Sequence, residues 1–201
     1  VLYGLYMICH SLYSIFFHRI LELEREVLDG TFDKYLLRPV SPFVQFIGGD
    51  IQYVGLCDTL LGVLLIAAGL SMAQARWTVA DYAWLAVFAA SGGTVLTCTY
   101  LLIASVSFWV VKANALGSVL MQLLLLTQKY PITIFGMPFR VLVTGVVPIA
   151  FMNFYPAAML LGKTDAPRWA GMVSPLVAAG LAVVAAVVWR RGVRRYGSSG
   201  S

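Results

Sequence analysis

The chain has 201 residues, of which 60% are hydrophobic and only 11% charged, with a formal net charge of +5. A soluble chain of this length needs a larger polar surface, so a soluble globular protein is excluded. Several apolar runs approach the roughly 20 residues of a bilayer-crossing helix, which predicts an all-α integral membrane protein with one domain over residues 1–196.

In chain order, residues 1–17 read as the tail of a span begun upstream, with His10 and His18 as packed or interfacial histidines. Cys9, Cys57 and Cys98 fall in apolar runs without a CxxC pair, so neither a disulfide framework nor a metal site is expected. Residues 19–39 form a charged stretch, and nine of the chain's charged side chains lie between Arg19 and Arg38. At helical spacing Ile20, Leu21, Leu23, Val27 and Leu28 share one side, while Glu22, Glu26 and Asp29 take the other. That pattern predicts an amphipathic helix at or just below the membrane surface. Gly30 suits its C-terminal cap, and Thr31 the N-cap of a second short helix in which Asp33 and Arg38 complement the helix dipole. Pro39 stops that helix. The five carboxylates of this elbow suit docking to a protein better than binding lipid headgroups. A solvated connecting loop is the plainer reading of the same residues.

Residues 43–73 predict the next span, and the polar break QARWTVAD leads to a span over 82–111. After KANA at 112–115, a span is predicted over 116–135. Residues 136–161 stay apolar but are cut by Pro138, Pro148 and Pro156, with Pro131 shortly before them. The last predicted span, 172–189, ends in RRGVRR, and GSSGS at 197–201 reads as an appended tail and is set aside. Basic residues favour cytoplasmic loops, so the arginine-rich end is placed in the cytoplasm. The GKTDAPRW loop then lies outside, although it carries Lys163 and Arg168, partly offset by Asp165.

Parity bears on the broken region. Two full crossings there would put the elbow and the arginine tail on opposite faces, whereas one crossing plus an external re-entrant hairpin over 136–161 leaves both in the cytoplasm. The prolines, with Gly136 and Gly145, suit broken half-helices, which are tolerated where the backbone packs in protein or lines a cavity. Kinked full spans are the alternative.

Asp58 lies inside an apolar run, where burying charge in lipid is costly, and is therefore a functional candidate. With Asp50, Gln52 and Thr59 it would form a polar substrate path; its other reading is hydrogen-bonded glue to a neighbouring helix. Trp109, Lys112 and Asn114 mark a cytoplasmic interface belt, and Tyr130, Phe154 and Tyr155 either seal an external exit or anchor the chain. The phosphate-like string Gly162-Lys163-Thr164 has Ala157 where a glycine is needed and no preceding strand, so it is read as a loop.

Three stretches carry a resemblance: EREVLDGTFDKYLLRPVSP, then QKYPITIF, then VVPIAFMNFYPAAMLLGK. They resemble the permease subunit of bacterial ABC-2 type exporters, the branch marked by DGxxDxxLLRP and PxAFxNxYP, over nearly all of residues 20–190. The resemblance implies a six-span permease working as a dimer, with residues 1–17 as the second span and about five spans plus the hairpin in this chain. It implies a coupling helix within 19–39 that sits in a groove of a cytoplasmic ABC ATPase. Glu24, Glu26, Asp29, Asp33, Lys34, Leu37 and Arg38 would make the contacts, with Gly30 and Pro39 fixing the shape. Pro131, Pro138, Pro148, Asn153, Tyr155 and Pro156 would belong to the external hairpin. The implied partners are two ATPase copies carrying ATP and Mg, a second permease that is identical or related, and membrane lipids, with no nucleic acid. The implied location is the bacterial cytoplasmic (inner) membrane, multi-pass with a cytoplasmic C-terminus. The expected function is export of a small amphiphilic, drug-like or lipid-like substrate, without enzymatic activity on this chain. A non-transporting scaffold that binds a cytoplasmic partner through the same segment is the competing reading.

Overall fold

The computed structural model describes residues 1–49, 51–73, 77–110, 114–164 and 166–196, with Asn114 and Ala115 as backbone only. Asp50, Lys112, Asp165, the side chain of Asn114 and the tail 197–201, all invoked above, lie outside the described residues. The helices are α1 (Leu2–Phe17), α2 (Leu23–Leu28), α3 (Pro42–Ile47), α4 (Val54–Ala73), α5 (Val79–Ser105), α6 (Asn114–Lys129), α7 (Met137–Val141), α8 (Phe154–Leu160) and α9 (Arg168–Arg195). Short 3₁₀ turns join several of them, and no strand occurs among the described residues. Among the described residues, three helices are long and apolar enough to cross a membrane: Val54–Ala73, Val79–Phe108 and Arg168–Arg195. The pair Met137–Val146 and Ile149–Leu160, bent by 77°, makes a fourth if it is counted as one broken span.

Local chemistry sets boundaries that differ from the hydropathy runs. The run 43–73 is two helices, because α3 starts on Pro42 and stops at Gly48-Gly49, and α4 resumes only at Val54. α5 begins at Val79, earlier than the predicted 82, since Thr78 and Asp81 form a reciprocal capping box that uses the polar residues of the break. The Thr78 amide donates to Asp81 Oδ2 at 2.7 Å. α6 ends at Lys129 rather than 135, because Pro131 disfavours helical backbone at Tyr130 and supplies no N–H. α9 outruns its predicted 172–189 at both ends, starting directly after Pro167.

α4 packs on α1 through glycines two helical turns apart on one face. A Cβ at Gly62 would lie 2.9 Å from the Gly4 carbonyl oxygen and 3.1 Å from the Ile8 nitrogen, and one at Gly55 would lie 3.0 Å from the Ser11 carbonyl oxygen. Backbones approach this closely only where side chains are absent, the usual solution for helices in lipid. The rest of α4 is largely exposed, with Leu56, Leu60 and Leu64 facing outward as lipid-facing residues do. α5 is the central helix, buried along its middle from Ser91 to Leu101 apart from Thr94, with both α1 and α9 packed against it.

Phe32 of the elbow is fully buried and meets the ring of Phe108, just beyond α5, at 5.3 Å. It also meets Trp189 of α9 at 6.0 Å and Tyr196 at 5.3 Å. The elbow and the C-terminal ends of α5 and α9 therefore gather at one end of the bundle. α8 packs at the other end of α9, where a Cβ at Gly171 would lie 3.1 Å from the Tyr155 carbonyl oxygen.

Gly62→Ala forces the α1–α4 backbones apart and is expected to cost about 1–3 kcal/mol. Gly180→Ala, with nothing within 4 Å, is expected to be neutral or to stabilise by up to about 1 kcal/mol. Thermal unfolding of the two variants in detergent measures the contrast.

Candidate functional site: the charged elbow and the broken hairpin

α1 runs directly into a 3₁₀ turn over His18–Glu22, and α2 follows. A 3₁₀ turn has about 3.0 residues per turn against about 3.6 in an α-helix, so the side chains beyond it are rotated by roughly a quarter turn from uniform helical spacing. The predicted two-sided pattern is accordingly corrected. Ile20, Leu23 and Val27 are buried as expected, but Leu21 and Leu28 are exposed, and Glu24 and Glu26 are buried.

Glu26 is 6% exposed and is the hub of the elbow. Arg19 Nη2 donates to its Oε1 at 3.0 Å, Tyr35 OH donates to the same oxygen at 3.3 Å, and Lys34 Nζ lies 3.5 Å from Oε2. Arg19 also donates to the Tyr35 hydroxyl at 2.8 Å and lies over the Phe46 ring, 5.5 Å from its centroid. Burial raises the Tyr35 phenol above its ordinary value; Lys34 opposes that shift and the Glu26 carboxylate adds to it. Glu26 thus ties Arg19, Lys34 and Tyr35 together within the elbow.

Gly30 has φ +71°, the left-handed conformation that ends α2 as the sequence predicts. Thr31 acts in the opposite sense to its expected N-cap role: its hydroxyl donates back to the Glu26 carbonyl at 3.3 Å, satisfying a carbonyl at the end of α2. The second helix is a 3₁₀ segment over Thr31–Tyr35 that ends before Arg38 and Pro39. Asp33 faces Tyr196, whose phenol is pushed up to about 12, first by burial and then by that carboxylate. The outward surface includes Leu21, Arg25, Leu28, Asp29, Thr31, Lys34 and residues 36–40, with Leu37 85% exposed and Arg38 and Pro39 beside it. Gln45 braces this tip by donating to the carbonyls of Tyr35 at 3.1 Å and Val40 at 2.6 Å.

The hairpin is tied to the bundle by one missing donor. In α6 the Thr127 carbonyl would receive the amide of residue 131, but Pro131 has none. The fully buried Asn153 supplies it, Nδ2 donating to Thr127 O at 3.1 Å. One residue earlier, the Met152 carbonyl accepts the Cys9 thiol at 3.7 Å, and a Cβ at Gly92 would lie 2.7 Å from that carbonyl. Gly92 lies about 20 Å along α5 from Val79 at the α-helical rise, so the segment around Asn153 reaches the middle of the bundle. Pro138 and Pro156 occupy the first turns of α7 and α8, where proline is tolerated, and Pro148 stands at the bend between the two halves. Thr144 and Tyr155 share a hydroxyl hydrogen bond of 3.1 Å across the bend, and Arg140 donates to the carbonyls of Phe135 at 2.9 Å and Thr133.

Asp58 finds a partner that sequence reasoning missed. His10 Nδ1 lies 2.9 Å from Asp58 Oδ2 and pins α1 to α4, with Tyr6 stacked on the histidine at 5.7 Å. Of the expected strip, Asp50 lies outside the described residues, and Asp58, Gln52 and Thr59 are placed differently from one another. The Thr59 hydroxyl donates to the Gly55 carbonyl of its own helix, Gln52 precedes α4, and adjacent helical residues do not share a face. The other side chains that sequence reasoning passed over are Arg19, Tyr35 and Gln45. Arg19 and Glu26 are seven residues apart, a spacing that places them on one helical face, and that was their only local signal. Of the aromatic residues, Trp109 and Tyr130 are exposed while Phe154 is buried.

Long apolar helices around a buried central one, joined at one end by a rigid charged elbow, define a multi-pass helical membrane protein. The profile of the family described as ABC-2 family transporter protein matches residues 1–200. The chain belongs to that family of membrane transport permeases. No curated protein and no solved structure matches it.

Glu26→Ala strands the half-buried Arg19 and is expected to lower stability by about 2 kcal/mol or more. Glu22→Ala removes an exposed pair with Arg25 at 3.9 Å and a longer-range attraction to Arg19, and is expected to change stability by at most about 0.5 kcal/mol. Thermal unfolding of both variants checks the ranking.

Proposed function

We propose that this chain is the membrane-spanning subunit of an ATP-driven exporter and that residues 19–39 couple it to separate cytoplasmic ATPase subunits. The observation that carries the reading is the build of the elbow. Its interior is braced by Glu26, Arg19 and Tyr35 and docked through Phe32, while Leu37, Arg38 and Pro39 project from it. A lever that transmits force needs a stiff base and an exposed tip, because a compliant base would absorb the movement. Asp29, Lys34, Leu37 and Arg38 are the residues placed to touch a partner; Glu24 and Glu26 are buried, and Asp33 faces Tyr196.

Parity supports a cytoplasmic C-terminus and a re-entrant hairpin over 136–161. The elbow lies beside the ends of α5 and α9, so α4 leaves that end and α5 returns to it, α6 leaves again and α9 returns. Residues 130–164 then run between the middle of the bundle and its far end without returning to the elbow end, and positive charge at the near end favours the cytoplasm. On this reading two ATPase copies bind ATP and Mg, and a second permease, identical or related, completes the assembly in a bacterial cytoplasmic membrane. The cargo is a small amphiphilic, drug-like or lipid-like molecule.

The double variant Leu37→Ala/Arg38→Ala alters only exposed side chains and is expected to shift stability by at most about 0.5 kcal/mol. It is expected to weaken capture of the ATPase subunit by about 30-fold, the cost of losing an interface hot spot. Affinity capture of the full-length permease, paired with vesicle transport, measures this. Normal capture and transport in a folded variant would remove the coupling assignment, and capture without any transport would favour the scaffold.

A further inference from the structure

Between α1, α5 and α9, next to Pro42 and Phe43, lies a cavity of about 720 Å³, well within the range of small-molecule sites. Its walls change character along α9. Ala182 and Ala186 line one end and Arg190 and Arg194 the other, all on one i, i+4 ridge. From Ala182 to Arg194 the ridge runs about 18 Å at the α-helical rise. The facing wall on α5 is small and apolar around Ala90 and Gly93, and the Thr94 hydroxyl is spent on the Ala90 carbonyl at 2.8 Å. No carboxylate lines the cavity, and among the described residues neither Arg190 nor Arg194 has an acidic partner.

We propose that this cavity binds an anionic amphiphile, its chain among the alanines of α9 and its headgroup on Arg190 and Arg194. An apolar slot that ends in two unpaired guanidinium groups complements a long apolar chain with a phosphate or carboxylate end. The arginines lie at the elbow end, so a ligand enters from the leaflet on that side. The step from bound ligand to exported cargo rests on the exporter reading; the binding site does not. Arg191 and Arg195 carry the same charge on the same helix end but do not line the cavity, which makes them an internal control.

The test uses the full-length permease in nanodiscs containing phosphatidylglycerol or phosphatidylcholine with brominated chains. Quenching of Trp189, which lines the cavity, is read as the difference between the parent and Trp189→Phe. The expected result is that phosphatidylglycerol is preferred by about tenfold, and that R190Q/R194Q abolishes the preference while R191Q/R195Q keeps it. Dodecyl phosphate added from water separates the two sources of such a ligand: displacement of the brominated lipid identifies a free amphiphile, persistence identifies a bilayer lipid, and either sustains the site. Equal quenching by both lipids, or equal loss in both arginine pairs, overturns the proposal. Absence of quenching by either lipid also overturns it, since a protein helix then fills the groove. If Trp189→Phe fails to fold, native mass spectrometry of anionic lipid retained by the parent and the two arginine variants gives the same discrimination. ATPase capture from the same preparations separates the two proposals: capture without anionic preference sinks only this one, and preference without capture sinks only the exporter reading.

Discussion

The packing of Phe32 against Phe108, Trp189 and Tyr196 is the contact on which the architecture turns. It joins a segment near the start of the chain to the ends of its two longest helices, so it sets which ends of the bundle lie together. Burying an aromatic side chain of this size is among the larger favourable terms available to a small polar-faced segment. Ile20, Leu23 and Val27, buried beside it, share the docking of the elbow. The ion network of Glu26 gives that docked segment a fixed internal shape, which hydrophobic burial alone, being non-directional, does not provide.

The hairpin follows a different logic. In lipid an unpaired backbone carbonyl is costly, so each proline that removes a donor creates a demand that something else must meet. Pro131 removes the amide that Thr127 needs, and Asn153, 26 residues later, meets the demand with a side-chain amide. The same segment is held from the other side by the Cys9 thiol and by the space that Gly92 leaves. Irregular backbone at this depth is thereby stitched to α1, α5 and α6, so α5 carries both the elbow at one end and the hairpin near its middle.

Much of this was legible in the residues. Hydropathy marked the apolar helices, prolines and glycines marked the breaks, and Gly30 was readable as a left-handed cap because few other residues adopt that conformation cheaply. The charged elbow was legible as a unit but its facing was not. A uniform helical period turned Glu26 outward and Leu21 inward, and the 3₁₀ turn at His18–Glu22 reversed both. Hydropathy periodicity has no access to such a change of pitch, which the packing of neighbouring helices imposes. Asp58 was legible as anomalous, while its partner His10, 48 residues away, read as a packed or interfacial histidine.

By itself, then, the sequence determined the solvent, the helical class, the breaks and the family resemblance, because these depend on local composition and on backbone sterics that act within a few residues. Only the tertiary structure decided that Glu26 is a brace and Arg38 a tip, that Asn153 replaces a proline's missing amide, and that Arg190 and Arg194 head a cavity while Arg191 and Arg195 do not. Each of those outcomes pairs groups far apart along the chain, or separates neighbours by the direction in which a helix presents them. Helix rotation in a bundle is set by the sum of all contacts, and no local pattern encodes that sum.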